Sequence, residues 1–423
     1  MSSAPARACG IDFGTSNSTF AWQRPGASPL LALEAGKPSL PSAVFFNADE
    51  DSVSFGRAAL AEYLEGYEGR LMRALKSLLG SSLIDGHTEV LGRHLPFRDL
   101  LRQYIAELKR RGEAAAGRAF DQAVFGRPVH FVDGNEEADQ LAEQTLGEIA
   151  HAVGFREVSF QFEPIAAAFH YEQSLSCEEL VLIVDIGGGT SDFSLVRLSP
   201  ERTGHIERRD DLLANAGVHI GGTDFDKALS LAAVMPMLGY KTCKKNGTEI
   251  PSSHFFNLAT WHTINFCYTR QAWNEMQDIY RDAAERDKLD RLLNLVSQRD
   301  GHWLALQVEE AKIAVSSAPS FQLDLERITR EATTLSHEVS RDEFDLSIAA
   351  LVGSVVDSVS GMLDQAGIAR ERIDTVFFTG GSSGVPLLRS RVAALLPNAK
   401  AVEGDLFGSI GSGLAVEAAR RYG

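Results

Sequence analysis

The chain has 423 residues, 44% of them hydrophobic and 23% charged, enough apolar material for a sizeable core and more than one lobe. Its formal charge of -16 opposes nucleic acid or an anionic membrane surface as partner, because either is repelled before short-range contacts form. The start MSSAPARACG lacks the apolar centre of a signal peptide and no 18 apolar residues run uninterrupted, so the expectation is a cytoplasmic protein with no membrane partner.

In chain order, the first predicted element is the hairpin CGIDFGTSNSTFAW, with Asp12 before its bend and Gly14, Thr15, Ser16 and Asn17 in it. GEAAAGRA (112–119) has the glycine spacing of a P-loop. Arg118 and Ala119 stand where Lys and Ser/Thr are needed, and basic helical sequence precedes it, so it reads as a helix end. AVFGRPVHF is predicted as a strand. A helix follows over 135–154, with Ala138, Leu141, Ala142, Leu146, Ile149, Ala150 and Val153 as its apolar stripe. Strand EVSFQF, a helix from Pro164 and strand LVLIVDI continue the alternation, which argues for α/β architecture.

LVLIVDIGGGTSDFSLVRL, Leu180–Leu198, repeats the first hairpin's design, with Asp185 and Asp192 flanking its bend, and two hairpins of one design imply two similar lobes. CKKNGTEIPSS (243–253) reads as an exposed loop, and the aromatic stretch from His254 to Trp273 as the inner side of a helical subdomain. TVFFTGG followed by VPLLRSRVAALLP gives a further strand, glycine turn and helix. The four cysteines, Cys9, Cys177, Cys243 and Cys267, form no CxxC and read as buried free thiols. No Pro- or Ser-rich tract separates independent domains.

Glycine lets backbone N–H groups converge on an anion, which is how an acidic chain can hold phosphate. Carboxylates at 12, 185 and 192 beside such a cradle call for a cation, and hard oxygen ligands suit Mg²⁺. GGSSG (380–384) also fits the elbow of a serine hydrolase with Ser382 as nucleophile. That arrangement needs a later histidine, and the last of the 11 is His337, so a nucleotide-contacting turn fits better.

Together these stretches resemble the nucleotide-binding domain of the 70-kDa heat-shock chaperones, most of all their truncated YegD-type bacterial homologues. The resemblance implies an actin-like ATPase fold with two ribonuclease-H-like lobes: 1–177 with 404–423, and 178–403 carrying an extended helical subdomain at 226–308. ATP or ADP with Mg²⁺ would lie in the cleft. Asp12, Asp185 and Asp192 become the metal and water acids, and Gly14, Thr15, Ser16, Asn17, Gly187, Gly188, Gly189 and Thr190 the phosphate loops. ALKSLLG supplies Lys76 and FEPIAAAFHY supplies Glu163, which act with Asp185 and Thr190 in hydrolysis, while Pro128 couples nucleotide state to lobe movement.

Further nucleotide contacts implied are Gly221, Gly222, Glu309, Lys312, Ser316, Gly380, Gly381, Ser382 and Asp405. Ile313 and Gly384 replace arginines that clasp the base in the family, which removes guanidinium stacking. The sequence stops after GSGLAVEAARRYG, where the family continues into a linker and a peptide-binding domain. The expectation is a slow ATPase of chaperone type without that domain, with a protein client or co-chaperone as partner. A nucleotide switch with negligible hydrolysis is the second reading, and a sugar or acetate kinase the third.

Overall fold

Apolar hairpins begin both main sheets. Strands β1 (Ala8–Phe13) and β2 (Asn17–Ala21) pair antiparallel, and β3 (Ser39–Pro41) joins β2. On the other side β1 takes β4 (Gln122–Arg127) and then β5 (Glu157–Phe162), both parallel, giving the order β5-β4-β1-β2-β3. The second sheet has the same order and directions: β6 (Glu179–Ile186) pairs antiparallel with β7 (Ser191–Leu198), which pairs antiparallel with β8 (Leu212–Val218). Parallel β9 (Thr375–Thr379) and β10 (Lys400–Glu403) complete it. The duplication read from the two hairpins thus extends to every strand of both sheets. The computed structural model describes residues 8–132, 134–329, 335–404 and 408–423, and Asp405 lies outside them.

Helices α1 (Phe97–Ala116) and α2 (Glu136–Ala152) flank the first sheet's parallel strands in the chain, and GEAAAGRA is indeed the end of α1. Parallel strands need such crossovers. Asn135 caps α2 by accepting from the Ala138 N–H at 3.1 Å, and Glu136, Glu137 and Asp139 suit the positive end of its dipole. Short α3 (Glu163–Ala167) follows β5 directly.

Several sequence expectations need correction. The strand predicted through Phe131 stops at Arg127, because Pro128 has no N–H to continue a ladder. The buried face of α2 is turned from the predicted stripe: Leu141 is 48% exposed, whereas Asp139 and Thr145 are buried. Asp139 turns inward because it meets Arg127 there. Cys9 and Cys267 are buried free thiols, but Cys177 and Cys243 are exposed, both in connecting loops. The aromatic stretch is only partly internal, with Phe255, Leu258 and Ile264 buried and Phe256 and Phe266 exposed. The long helix Arg341–Gln365 is apolar and long enough to cross a membrane by composition. Its buried Phe344, Ile348, Val352, Val355 and Val359 form the single stripe of an amphipathic core helix.

By contact density the chain forms two compact units, one of residues up to 218 with 358–383 and 393–423, the other of 219–357 with 384–392. Both five-stranded sheets belong to the first. In that unit, helix α4 (Phe169–Gln173) brings Glu172 to a fully buried ion cluster that sequence reasoning missed. Arg208 donates to both Glu172 oxygens at 2.9 and 2.7 Å and also pairs with Asp211, which Arg202 reaches too. Removing the central cation leaves Glu172 buried without a counter-charge, while Asp211 keeps only Arg202. Arg208→Met is therefore expected to cost about 3–5 kcal/mol in urea unfolding; a loss under about 1 kcal/mol would show the cluster to be structurally idle.

Candidate functional site

The glycine bends of the two hairpins meet inside the first unit. A Cβ placed on Gly188 would stand 2.1 Å from Ser16 Oγ and 3.3 Å from its Cβ, so the second loop packs directly against the first, and a side chain at 188 would require Ser16 to turn away. The second bend closes on itself, Gly187 N–H donating to Thr190 O at 2.9 Å, and Thr190 Oγ1 donates to Asp192 at 3.1 Å. The first is braced from outside by Ser42, whose hydroxyl donates to Gly14 O at 2.6 Å and whose N–H donates to Ser16 O at 2.9 Å. Ser42 lies beyond both motifs and carried no signal in the sequence.

Strand register sets the acids. Asp185 on β6 lies directly opposite Asp192 on β7, and its parallel neighbour on β9 is Thr379. Like charges directly opposed across an antiparallel pair are destabilising. Gly380, next after β9, has φ 81°, and a Cβ there would come within 2.3 Å of Asp185 Oδ1; this turn backs the carboxylate closely. Shielding from water, then repulsion from Asp192, Glu163 and Asp12, push Asp185 up to about 8 against the pull of Lys76. Asp12 is pushed up to about 7 by the same shielding and by Glu163, with Lys76 again opposing.

Lys76 lies in a single turn of 3₁₀ helix, Leu75–Leu78, and its ammonium is ion-paired with Glu163. Shielding works against its charge. The attraction of Glu163 and Asp12, the hydrogen bond to Glu163 and the field of Asp192 outweigh that, and its pKa lies above the ordinary value. Asp12, Lys76, Glu163, Asp185 and Asp192 therefore form one electrostatic cluster in the unit that also holds both glycine bends. Among the described residues no three or more His, Cys, Asp or Glu side chains stand close enough to hold a metal ion jointly.

The remaining expected contacts divide between the two units. Gly380, Gly381 and Ser382 follow β9 in the first. Gly221, Gly222, Glu309, Lys312 and Ser316 belong to the second. There Gly222 begins the helix α5 (Gly222–Leu229), and Glu309, Lys312 and Ser316 lie along the helix α6 (Gly301–Ser317). Buried Lys312 ties the two helices together, 2.8 Å from Asp226 and donating to Gly222 O at 3.3 Å, while Ser316 Oγ donates to Lys312 O. Ile313, beside Lys312, is 61% exposed.

The raised carboxyls fix how stability depends on pH. From an unfolded value near 3.8 up to a folded value of about 8, Asp185 is protonated more in the folded state. Its contribution is complete at low pH and is lost as pH rises through the folded pKa. The nucleotide-free protein should lose stability between about pH 4 and pH 8, and Asp185→Asn, uncharged throughout, should lose less by at least about 1 kcal/mol. Identical pH dependence in thermal melts of the two proteins would contradict the cluster's electrostatics.

The family model described as Hsp70 protein matches residues 87–237 and 282–419, leaving 238–281 unmatched within the second unit. Chaperone protein HscA of Pectobacterium carotovorum subsp. carotovorum (strain PC1) is 27% identical over 444 residues, covering 99% of this chain and 59% of that protein. HscA of Edwardsiella ictaluri (strain 93-146) is 27% identical, covering 96% and 56%, and the HscA homolog of Shewanella baltica (strain OS155) is 26% identical, covering 97% and 58%. The chain thus spans less than three-fifths of the length of these relatives. The actin-like ATPase fold expected from the sequence is the fold of this family, and the duplicated sheets carry it. By the extent of the family match, together with relatives that align along almost its whole length, the chain belongs to the Hsp70 family.

Proposed function

We propose that the chain binds ATP and ADP with Mg²⁺ through the two glycine bends and hydrolyses ATP slowly, as a chaperone-type ATPase. The observation that carries this reading is the convergence of the bends at Ser16 and Gly188 beside the cluster of Asp12, Lys76, Glu163, Asp185 and Asp192. Backbone N–H groups of residues 14–17 and 187–190 would donate to phosphate oxygens, except that of Gly187, which Thr190 O already takes. The cluster suits a hard divalent cation, since its carboxylates repel one another and one lysine does not balance them. With no three acids poised among the described residues to share an ion, Asp12, Asp185 and Asp192 would hold Mg²⁺ largely through water, which that ion retains readily. When bound, it would neutralise charge on the phosphates.

Lys76 contributes a cation that Glu163 orients, and Asp12 and Asp185 accept hydrogen bonds from the attacking water, whose oxygen bonds to the γ-phosphorus as the bond to the bridging oxygen breaks. Thr190 holds Asp192 in place. ADP, inorganic phosphate and a proton leave. Glu309, Lys312, Ser316, Gly221, Gly222 and the turn at 380–382 are proposed for the nucleoside, with the lobes bounded as the sequence resemblance implies. A client or co-chaperone, and a cytoplasmic setting, belong to the same proposal. A second reading, a nucleotide switch with negligible turnover, is favoured by one observation: Lys76 is already engaged by Glu163.

Mg-ADP should raise the melting temperature, since a ligand selective for the folded state stabilises it. Lys76→Ala should slow single-turnover hydrolysis on the order of 10²- to 10³-fold while changing Mg-ADP affinity little. Equal rates for the two proteins would remove Lys76 from the chemistry; no hydrolysis in either, with binding intact, would select the switch.

A further inference from the structure

Arg127 ends β4 as a side chain almost wholly shut from water, at 6% exposure, and every nitrogen of its guanidinium is engaged. Nε donates to Pro128 O at 3.0 Å, Nη2 to Val129 O at 3.2 Å and to Asp139 at 2.7 Å, and Nη1 pairs with Glu143. Asp139 also accepts from the Phe131 N–H. The cation lies between two rings, 5.4 Å from the centre of Phe131 and 5.3 Å from that of Phe162. One residue thus joins the loop after β4, the first turns of α2 and the last residue of β5.

Phe162 is Arg127's register partner, and the next residue is Glu163. Glu163 opens α3, a helix of five residues whose N-cap makes no side-chain hydrogen bond, so that helix has little of its own with which to fix Glu163. The backbone under the Glu163 side chain comes from the residue before Arg127: a Cβ on Gly126 would stand 3.1 Å from Glu163 Cγ and 3.5 Å from its Oε1. The ends of β4 and β5 therefore carry Glu163 from two sides, and Arg127 locks both ends to α2.

We propose that Arg127 is a positioning residue for the Lys76–Glu163 pair: by clamping Phe162 and the end of β4 it sets where Glu163 points and so where Glu163 holds the Lys76 ammonium. The proposal deepens the hydrolysis reading and rests on it for its consequence in turnover, but the geometric claim can be tested without turnover. Arg127→Met alone would leave Asp139 buried and unpaired, so the test uses Arg127→Met with Asp139→Asn, and Arg127→Lys as a second variant that keeps a cation beside Asp139.

In nucleotide-free protein, acylation of Lys76 by a small amine-directed reagent, followed by peptide mass spectrometry, reads how firmly Glu163 holds the ammonium. The double variant should raise the Lys76 rate at least about threefold, half a pKa unit, with Arg127→Lys in between. On a Glu163→Gln background the same substitutions should add nothing, because the effect runs through Glu163. Single-turnover ATP hydrolysis should fall at least about tenfold with Mg-ADP affinity held within about threefold, as expected of misplacement by a fraction of an ångström. An unchanged Lys76 rate in a folded variant, or a rate increase that persists on the Glu163→Gln background, overturns the positioning role. Wild-type protein that never hydrolyses ATP overturns the ATPase reading alone and leaves the labelling result to decide on Arg127.

Discussion

Mutual repulsion among the carboxylates of one small region organises this part of the molecule. Asp185 and Asp192 are forced opposite each other by strand register, and Asp12 and Glu163 make the local potential still more negative, against the single ammonium of Lys76. A fold that needed only stability would not keep such an arrangement, since opposed like charges cost free energy on a sheet. On the proposed reading, an arriving metal–nucleotide complex would relieve that repulsion, and the glycine bends beside it would let backbone approach the phosphates. The charges of the central cluster are unbalanced, whereas the ion cluster at Arg208 is internally complete: two carboxylates share its guanidinium, and a second arginine reaches Asp211.

Much of this was legible in the sequence because its chemistry is local. Glycine in a bend between apolar strands, with an acid on either side, needs no distant partner to be recognised, and the repeat of that design announced the duplicated sheets. Lys76 was different. By itself it is a lysine in a short turn, and only the family resemblance picked it out; its partner Glu163 is 87 residues away and no spacing rule connects them. Ser42 and Arg208 were unreadable for the same reason, since their roles are set by contacts between separate segments. The stripe on α2 misled because periodicity counts apolar residues and cannot foresee an aspartate turning inward. Asp139 is buried because a buried arginine waits for it, and Leu141 is displaced to the surface as a consequence.

The second unit contributes a different kind of order. Lys312 links α5 and α6 through Asp226 and Gly222 O, so three residues expected to face the nucleoside sit on a helix held by one of them. Its neighbour Ile313 exposes apolar surface, and if the family resemblance holds at this position, a base there would meet packing instead of a guanidinium. Residues 238–281, outside the family match, lie in this same unit and expose Phe256 and Phe266.

The most direct test of the central claim is calorimetric titration of Mg-ADP at pH 7 in buffers of differing ionisation enthalpy. If the carboxyls held at about 7 and about 8 are those that receive the metal–nucleotide complex, binding must drive protons off them. The account predicts a net release of protons to the buffer that shrinks in Asp185→Asn. Binding with no buffer dependence, or release that is unaltered in Asp185→Asn, would contradict it.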